Sequence, residues 1–351
     1  MIITFLVFIL VLGILVLVHE FGHFIVAKKS GLTVEEFGFG FPPRIFSWKI
    51  NETLYSINLL PFGGFVKILG ENGDETDNTK SFSSKPVGIR SLVAIAGVTM
   101  NFVLGALLLM IGFYIGLPQV LNKENENIAQ NVQIQIIAIA NDSPAEKANL
   151  KLGDSIEDFK EISIFQDFIN KNKAKEIILK IKRSQDNLEI KIVPRVNPPE
   201  GEGALGIALV KTGLVSYPWY ESVWLGIKST FIITWEIMKG FFGLIRNLLV
   251  FQKIPQEVAG PVGIAVLAGQ AINLGFIYLL QLVALISLNL AVLNLIPFPA
   301  LDGGRLLFLG IEKIKGSKVN PKIENTIHSV GIVLLLALVV LITYRDILKL
   351  L

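Results

Sequence analysis

Long apolar runs, nearly free of charged residues, constrain this chain more than any other feature of its sequence. They cover residues 1–27, 91–117, 262–296 and 329–343. At about 1.5 Å per helical residue, runs of this kind can cross the roughly 30 Å hydrocarbon core of a bilayer. Only 17% of all residues are charged, against about a quarter in soluble domains. The sequence therefore predicts an α-helical polytopic membrane protein with about four transmembrane helices.

The ends of these helices follow from the charges and prolines beside them. We expect helices at 1–27, closed by Lys28-Lys29, at 91–117, ended by Pro118, in a third region at 262–305, and at 323–345. A cleaved signal peptide is the alternative for 1–27. That alternative fits poorly, because the run has no basic start and no small-x-small cleavage site.

The segment 28–90 has a mixed composition. Within it, Phe37–Pro43 is predicted to be a loop, and 53–69 carries β-type residues around Pro61 and Gly63-Gly64. This pattern predicts a hairpin or a bent strand. Because 53–69 is unusually apolar for a surface loop, we expect it to dip into the membrane.

Two further segments separate the apolar runs. Residues 119–210 are polar and predict a small α/β domain, with strands at 132–139, 176–183 and 188–193, a helix start at 143–145 and a turn at 152–154. Residues 217–250 are apolar but interrupted by charges and rich in Trp and Tyr near their start. That composition is typical of an amphipathic helix lying at the membrane interface.

The distribution of Lys and Arg predicts the orientation in the membrane. Basic residues flank the first two helices on one side and follow the third on the same side, whereas Arg345 and Lys349 weakly favour the opposite orientation. The first group comprises Lys28, Lys29, Lys80, Lys85 and Arg90, and the second Arg305, Lys313, Lys315, Lys318 and Lys322. We therefore expect these ends in the cytoplasm and the domain at 119–210 outside it.

The composition also limits the chemistry. The net charge of +3 is too small to indicate nucleic-acid binding. The absence of cysteine excludes disulfides and cysteine zinc sites, so a transition metal must use His, Asp or Glu. The three histidines are His19, His23 and His328.

The run His19-Glu20-Phe21-Gly22-His23 carries the strongest chemical signal. Histidines four residues apart share one helix face, and Glu20 can act as general base on water at a zinc bound between them. A short motif can arise by chance, and these could be plain interfacial residues beside Lys28. Ionisable side chains in an apolar helix are, however, costly and usually functional.

A catalytic zinc needs a third protein ligand. His328, just before the last helix, is one candidate, although it could be an ordinary interfacial residue. Asp302 is the better candidate, because it follows a long uncharged stretch and its neighbours Pro297, Pro299, Gly303 and Gly304 break the helix. Broken backbone at membrane depth is tolerated where it is buried or lines a wet cavity. The alternative for Asp302 is a turn residue with Gly303 as its cap.

Together these motifs resemble the site-2 protease family in its bacterial RseP-type branch. The similarity covers nearly the whole chain and is carried by HEFGH, by NLIPFPALDGGR from Asn294, and by five further segments. These are FGFGFPPRIFSWK, YSINLLPFGGFVKILGE, AGVTMNFVLGALL with Gly97 and Asn101 at the family's Gly-x-x-x-Asn positions, NDSPAEKANLKLGDSI, which looks like a PDZ domain, and AGPVGIA at 259–265.

The resemblance implies roles for single residues. His19, His23 and Asp302 match the ligands of a Zn²⁺ cofactor, and Glu20 matches the catalytic base. Asn294 matches a residue that holds substrate or stabilises developing charge, although it could simply satisfy a freed carbonyl near Pro297. Gly63 and Gly64 would lie in a membrane re-entrant hairpin whose edge binds an unwound substrate by β-addition, or they form an ordinary tight turn.

The resemblance also implies partners and a location. It implies hydrolysis within or near the transmembrane segment of single-span membrane proteins, such as anti-sigma factors or remnant signal peptides. It implies a multi-pass protein of the bacterial cytoplasmic membrane whose PDZ domain binds a peptide or C-terminus, or blocks access. Well-studied relatives carry tandem PDZ domains, whereas this chain has room for one. A catalytically inactive scaffold and a zinc transporter are the alternatives from other classes.

Overall fold

The computed structural model describes residues 2–73, 77–183, 186–251 and 260–350. Its helices are α1 (Ile2–Lys29), α2 (Val87–Ile115), α3 (Pro144–Lys147), α4 (Ile162–Lys171), α5 (Trp219–Phe251), α6 (Pro261–Leu274), α7 (Phe276–Leu295), α8 (Asp302–Lys315) and α9 (Pro321–Leu350). Its strands are β1 (Val34–Ile50), β2 (Thr53–Ile68), β3 (Leu117–Val120), β4 (Ala129–Ile139), β5 (Ser155–Ile156), β6 (Ile177–Arg183), β7 (Asp186–Ile192) and β8 (Ile207–Val215).

The chain divides into two compact units. One comprises the chain up to Leu109, Leu225–Gly269 and the chain from Leu280 onward; the other comprises Met110–Trp224 and Gln270–Leu279. The first unit holds the residues singled out from the sequence, and the second holds the polar α/β segment.

Among the described residues, four helices are long and apolar enough to cross a membrane, which confirms the predicted number. They are Leu6–Lys29, Val87–Ile115, Phe276–Leu295 and Pro321–Leu348. Each exceeds or meets the length that a roughly 30 Å core requires. The second and fourth, with 29 and 28 residues, are longer than the apolar runs indicated, because flanking polar residues continue the helix. The first extends past the predicted end at residue 27 to Lys29.

The third apolar region is not one continuous helix, and the single helix of spanning length within it, Phe276–Leu295, is shorter than the predicted region 262–305. Gly275, at φ +123°, separates α6 from α7. Residues other than glycine rarely adopt this backbone conformation. Helix α6 therefore ends after 14 residues, and of the two helices α7 alone reaches spanning length. Of the AGPVGIA run, Ala259 lies outside the described residues, and Pro261 begins α6.

Helix α5 covers the predicted interfacial segment as one continuous helix of 33 residues. It is absent from the helices apolar enough to span, and it exposes Trp219, Trp224 and Trp235 by more than half of their surface. Its location at a membrane interface stays a prediction.

The strands β1 and β2 form a sheet of their own, connected by a turn at Asn51-Glu52. The segment 36–39 has neighbours on both sides, since Phe39 pairs with Gly64 and also with Ile57. On the far side of 53–58 lies 44–50, where Trp48 pairs with Tyr55. The sheet therefore has two outer edges, formed by 64–68 and 44–50.

This pairing corrects one expectation and decides between the two alternatives of another. Phe37–Pro43 is strand and not loop, because the alternating Phe and Gly residues pair along both neighbours. Segment 53–69 is not a hairpin in itself; it is a bent strand whose two halves flank 36–39, and the tight turn falls at Asn51. Gly63 and Gly64 lie inside β2, with Gly63 at φ +114°. Dipping of this sheet into a membrane stays a prediction.

The second unit contains a sheet of six strands in the order β3-β8-β4-β5-β6-β7. Its core includes Ile134, Phe165 and Ile181, each at most 2% exposed. The predicted strands at 132–139, 176–183 and 188–193 correspond to β4, β6 and β7. Ser143 caps α3 by accepting a hydrogen bond from the Glu146 N–H, and Gly153 turns the chain at φ +88°. Strands β3 and β8 were not predicted, and they extend the sheet to 117–215.

Candidate metal centre

Helix α1 places both histidines of the HEFGH run on one buried face. The Nε2 atoms of His19 and His23 lie 3.2 Å apart, as their i, i+4 spacing predicts. The Nδ1 of His23 lies 2.7 Å from the carbonyl oxygen of Val93 on α2. Because a carbonyl only accepts, Nδ1 of His23 carries the proton and its Nε2 presents a lone pair.

Asp302 joins these histidines from the far end of the sequence. It is the first residue of α8, and its Oδ2 lies 3.0 Å from Nε2 of His19 and 3.4 Å from Nε2 of His23. Gly303 follows at a point where a Cβ would lie within 2.5 Å of the carbonyl carbon of Ile296. Only glycine lets the start of α8 fold back onto this loop so closely.

The three donor atoms fit a cation better than they fit one another. They lie within 4.8 Å of each other. Oδ2 of Asp302 is buried and makes no hydrogen bond to a described residue, and the Nε2 lone pair of His23 faces it. A lone pair and a carboxylate oxygen repel unless a positive charge lies between them. Two imidazoles and one carboxylate are also a ligand set of catalytic zinc that leaves a fourth position open.

Helix α2 supports the histidines from the other side. A Cβ at Gly97 would lie 2.7 Å from Cε1 and Nε2 of His19, so only glycine leaves room for the imidazole. Asn101, one turn later, is 1% exposed, and its amide nitrogen lies 3.4 Å from Nδ1 of His19. The Ser287 hydroxyl on α7 donates to the Asn101 carbonyl over 2.7 Å. Three helices thus converge at His19.

Glu20 and Gly64 lie beside each other. Glu20 follows His19 on α1. A Cβ added at Gly64 would lie 3.4 Å from Cγ of Glu20. Gly64 belongs to the outer-edge segment 64–68 of the sheet. A carboxylate next to the metal cluster and the outer-edge segment 64–68 therefore occupy the same region.

The remaining predicted residues are not brought into the cluster. Asn294 lies half-buried in the last turn of α7, and its role stays a prediction. His328 lies on α9, where its Nδ1 accepts a hydrogen bond from the backbone N–H of Ala300 over 3.0 Å. The structure thus separates His328 from the other two histidines and leaves Asp302 as the third group of the cluster.

Electrostatics favour an ionised Asp302. Burial alone would raise the pKa of its carboxyl, but the adjacent imidazoles of His19 and His23 outweigh burial and hold the pKa below its usual range. Arg305, one turn further along α8, donates to Glu71, which also accepts from the Ile68 N–H over 3.4 Å. This pair connects α8 to the end of β2.

Of three supporting groups, two were missed from the sequence, and the third, Gly97 with Asn101, was noted there only as a match to family positions. The carbonyl of Val93 carries no sequence signal, because any residue provides one. The i, i+4 spacing of Gly97 and Asn101 places them on one helix face and could have indicated their contact with α1. The Glu71–Arg305 pair joins positions far apart in the chain, which spacing alone cannot reveal.

Comparison with known proteins places this geometry in a family. The model of "Peptidase family M50" matches residues 7–338, nearly the whole chain. A protein of Clostridium perfringens that is named as a candidate zinc metalloprotease is 37% identical over 339 residues, covering 95% of each chain.

Several further relatives carry the name RasP. The "Zinc metalloprotease RasP" of Oceanobacillus iheyensis is 30% identical, and the "Regulator of sigma-W protease RasP" of Bacillus subtilis is 28% identical, each with 99% of both chains covered. Their alignments extend over 438 and 437 positions, so both contain segments that the 351 residues of this chain lack. These matches favour a protease over the scaffold and the transporter. The chain therefore belongs to peptidase family M50, the site-2 proteases, and is a zinc metalloprotease integral to a membrane.

Proposed function

We propose that this protein hydrolyses a peptide bond within or beside the transmembrane segment of a single-span membrane protein. The observation that supports this most directly is the convergence of His19, His23 and Asp302, because two of the three lie within a helix of spanning length. We propose these three as the zinc ligands and Glu20 as the catalytic base.

The chain's own residues divide the chemistry between them. Zinc, when bound, supplies a Lewis acid that polarises the scissile carbonyl and makes water a stronger nucleophile. Glu20, next to His19, takes a proton from the attacking water and delivers it to the leaving amine nitrogen. The Val93 carbonyl holds His23 in the tautomer that directs Nε2 into the site. Asn294 contacts the substrate near the end of α7.

Exchange of Glu20 for Gln tests the role of the base. The amide has nearly the same shape but cannot accept the proton, so we expect zinc content to be unchanged and cleavage of a single-span substrate to be lost. Zinc is measured by elemental analysis of the purified protein and cleavage in proteoliposomes. Cleavage by Glu20→Gln at the wild-type rate would remove Glu20 from the mechanism.

A transmembrane substrate must lose its helix before it can react, because helical carbonyls are hydrogen-bonded internally. We propose that the unwound segment pairs with the outer edge of 64–68. Among the described residues, this segment pairs on one side only, with 34–39. Gly63 and Gly64 lie where that edge reaches Glu20, and added strands gain affinity through main-chain hydrogen bonds.

Photo-crosslinking distinguishes this edge from the opposite one. Benzoylphenylalanine replaces Phe65 in the outer-edge segment or Phe46 in the segment 44–50, both in a Glu20→Gln protein that traps substrate. We expect crosslinks to substrate from position 65 and few from position 46. Equal crosslinking from both positions, or crosslinking only from 46, would contradict pairing at 64–68.

The substrate class and the second unit complete the proposal. One relative is named as a regulator of sigma-W, which supports anti-sigma-like membrane regulators as substrates, beside remnant signal peptides. We propose that the second unit is a PDZ domain that binds a peptide or a C-terminus and that the protein lies in the bacterial cytoplasmic membrane. In this arrangement the PDZ domain is extracytoplasmic and the metal centre lies toward the cytoplasm.

Release of a labelled peptide tests the substrate class. We expect cleavage of a single-span anti-sigma-like protein in proteoliposomes, with the new terminus inside or beside its span by mass spectrometry. Cleavage confined to soluble peptides would contradict this class.

A further inference from the structure

We propose that His328 is a positioning residue that holds the loop before α8 and thereby places Asp302 at the metal. This inference rests on the proposed role of Asp302 as a ligand. It assigns His328 neither to zinc nor to the membrane interface, the two roles that its sequence position suggested. The contacts of the loop, of His328 and of Gly331 carry it.

The loop between α7 and α8 depends on an outside acceptor at one point. It comprises residues 296–301, and Pro297 and Pro299 have no backbone N–H. The N–H groups of Ile296, Phe298 and Leu301 donate to carbonyls of Leu293, Ile296 and Phe298. The N–H of Ala300 instead donates to Nδ1 of His328 on α9. A backbone N–H that is withdrawn from water and has no acceptor is unfavourable.

The backbone at Ala300 needs this support. Ala300 has φ +82°, in the left-handed region that residues other than glycine rarely adopt. Such a conformation is unfavourable and persists only where the surrounding structure holds it in place. Asp302 follows after one residue, so a shift at Ala300 moves the carboxylate relative to His19 and His23.

Helix α9 is shaped to receive the loop at this place. Its residues 325–333 are exposed, except for the half-buried His328 and the buried Gly331 one turn later on the same face. A Cβ at Gly331 would lie 2.6 Å from the carbonyl oxygen of Pro299, so glycine is required for the loop to approach. The imidazole of His328 also packs against Phe308 of α8, with ring centroids 5.5 Å apart.

The tautomer of His328 follows from its acceptor role. Nδ1 accepts from Ala300, so Nε2 carries the proton. Among the described residues, no partner bonds to this buried Nε2. The contact to Ala300 is thus the one polar contact through which the ring acts on the loop in the described part of the chain.

A pair of amide variants tests the hydrogen bond. The oxygen of Asn stands as many bonds from Cβ as Nδ1 of His, whereas that of Gln stands one bond further. His328→Asn can therefore accept from Ala300, and His328→Gln reaches past it. Ser329→Ala is the control on α9, because the Ser329 hydroxyl bonds only to its own helix at Asn325. Zinc affinity of the full-length purified protein is measured by competition with a chromogenic chelator.

We expect His328→Gln to weaken zinc binding by about 10- to 100-fold, as for other groups that orient metal ligands. His328→Asn and Ser329→Ala should stay within about threefold of the wild-type zinc affinity. Wild-type affinity in His328→Gln, or equal loss in both amide variants, overturns the inference. Asp302→Ala distinguishes failure of the proposed ligand set from failure of the positioning role of His328. If it binds zinc like wild type, the proposed ligand set fails as well; if it loses zinc while His328→Gln does not, only the role of His328 fails.

Discussion

At the scale of single residues, the second nitrogen of each imidazole decides how the first faces the metal. His23 is oriented by the carbonyl of Val93, and His19 by the amide of Asn101. When Nε2 of His19 binds zinc, Nδ1 carries the proton and requires an acceptor. Oδ1 of Asn101 is buried and has no partner among the described residues. A half-turn of this amide would supply the acceptor.

This orientation makes Asn101 open to a direct test. We expect Asn101→Leu to weaken zinc binding by about 10- to 100-fold, because Nδ1–H of His19 loses its acceptor. Asn101→Asp, which places a carboxylate oxygen at the same position, should retain wild-type affinity or exceed it. Chelator competition on the purified protein measures both. Equal losses in the Asp and Leu variants would contradict an acceptor role.

At the scale of elements, glycines set how closely the helices approach. At Gly22 on α1, a Cβ would lie 2.7 Å from Cγ of Met100 and 2.8 Å from the carbonyl carbon of Ala96 on α2. At Gly97 on α2, it would meet the imidazole of His19. Small residues at both positions let two membrane helices pack with their backbones close together. The positions of His19 and His23, the proposed metal ligands on α1, therefore depend on the surface of α2.

Adding one methyl group to α2 should separate packing from helix propensity. We expect Gly97→Ala to displace His19, to reduce zinc occupancy and to cost about 1–3 kcal/mol through overpacking. Gly88→Ala is the matched control on the same helix, because a Cβ there would meet nothing within 4 Å. Thermal unfolding and zinc content in detergent measure both variants. Wild-type zinc content in Gly97→Ala would contradict this packing.

At the scale of the whole molecule, the apolar surface requires a lipid environment. The helix Pro321–Leu348 has only 6% of its most apolar window buried within the protein. Its exposed residues include Val333, Leu336 and Val340. A soluble monomer rarely exposes contiguous apolar patches beyond a few hundred Å². The bilayer therefore acts as solvent for these helices, and Lys and Arg at their ends predict how they are oriented.

The absence of cysteine makes this orientation easy to measure. Single cysteines at exposed positions, Lys175→Cys in the second unit and Lys313→Cys in α8, provide two reporters. We expect a membrane-impermeant maleimide to label position 175 in right-side-out vesicles and position 313 only in inside-out vesicles. Both cysteines should react after detergent is added. The reverse pattern would overturn the proposed topology.

Much of this protein could be predicted from local features of its sequence. The number of spanning helices follows from apolar length, because an unsatisfied backbone in lipid forces a helix. The closeness of His19 and His23 follows from helical spacing. Strands β4, β6 and β7 follow from short runs of β-type residues. In each case the determining interaction lies within a few residues along the chain.

Other features depend on contacts between distant segments. Phe37–Pro43 becomes strand because two separate segments pair with it. The apolar region after 262 divides at Gly275, and β8 inserts between β3 and β4, two strands that both lie far from it in the sequence. In the same way, His328 bonds to Ala300 instead of joining the other histidines.

The HEFGH run at residues 19–23 by itself determined two adjacent imidazoles and a carboxylate on one helix, since helical geometry is local. Only the tertiary structure decided that Asp302, Gly97 and Asn101 meet that face. Their approach depends on close packing between helices and on a strained loop, and neither is encoded in the spacing of neighbouring residues.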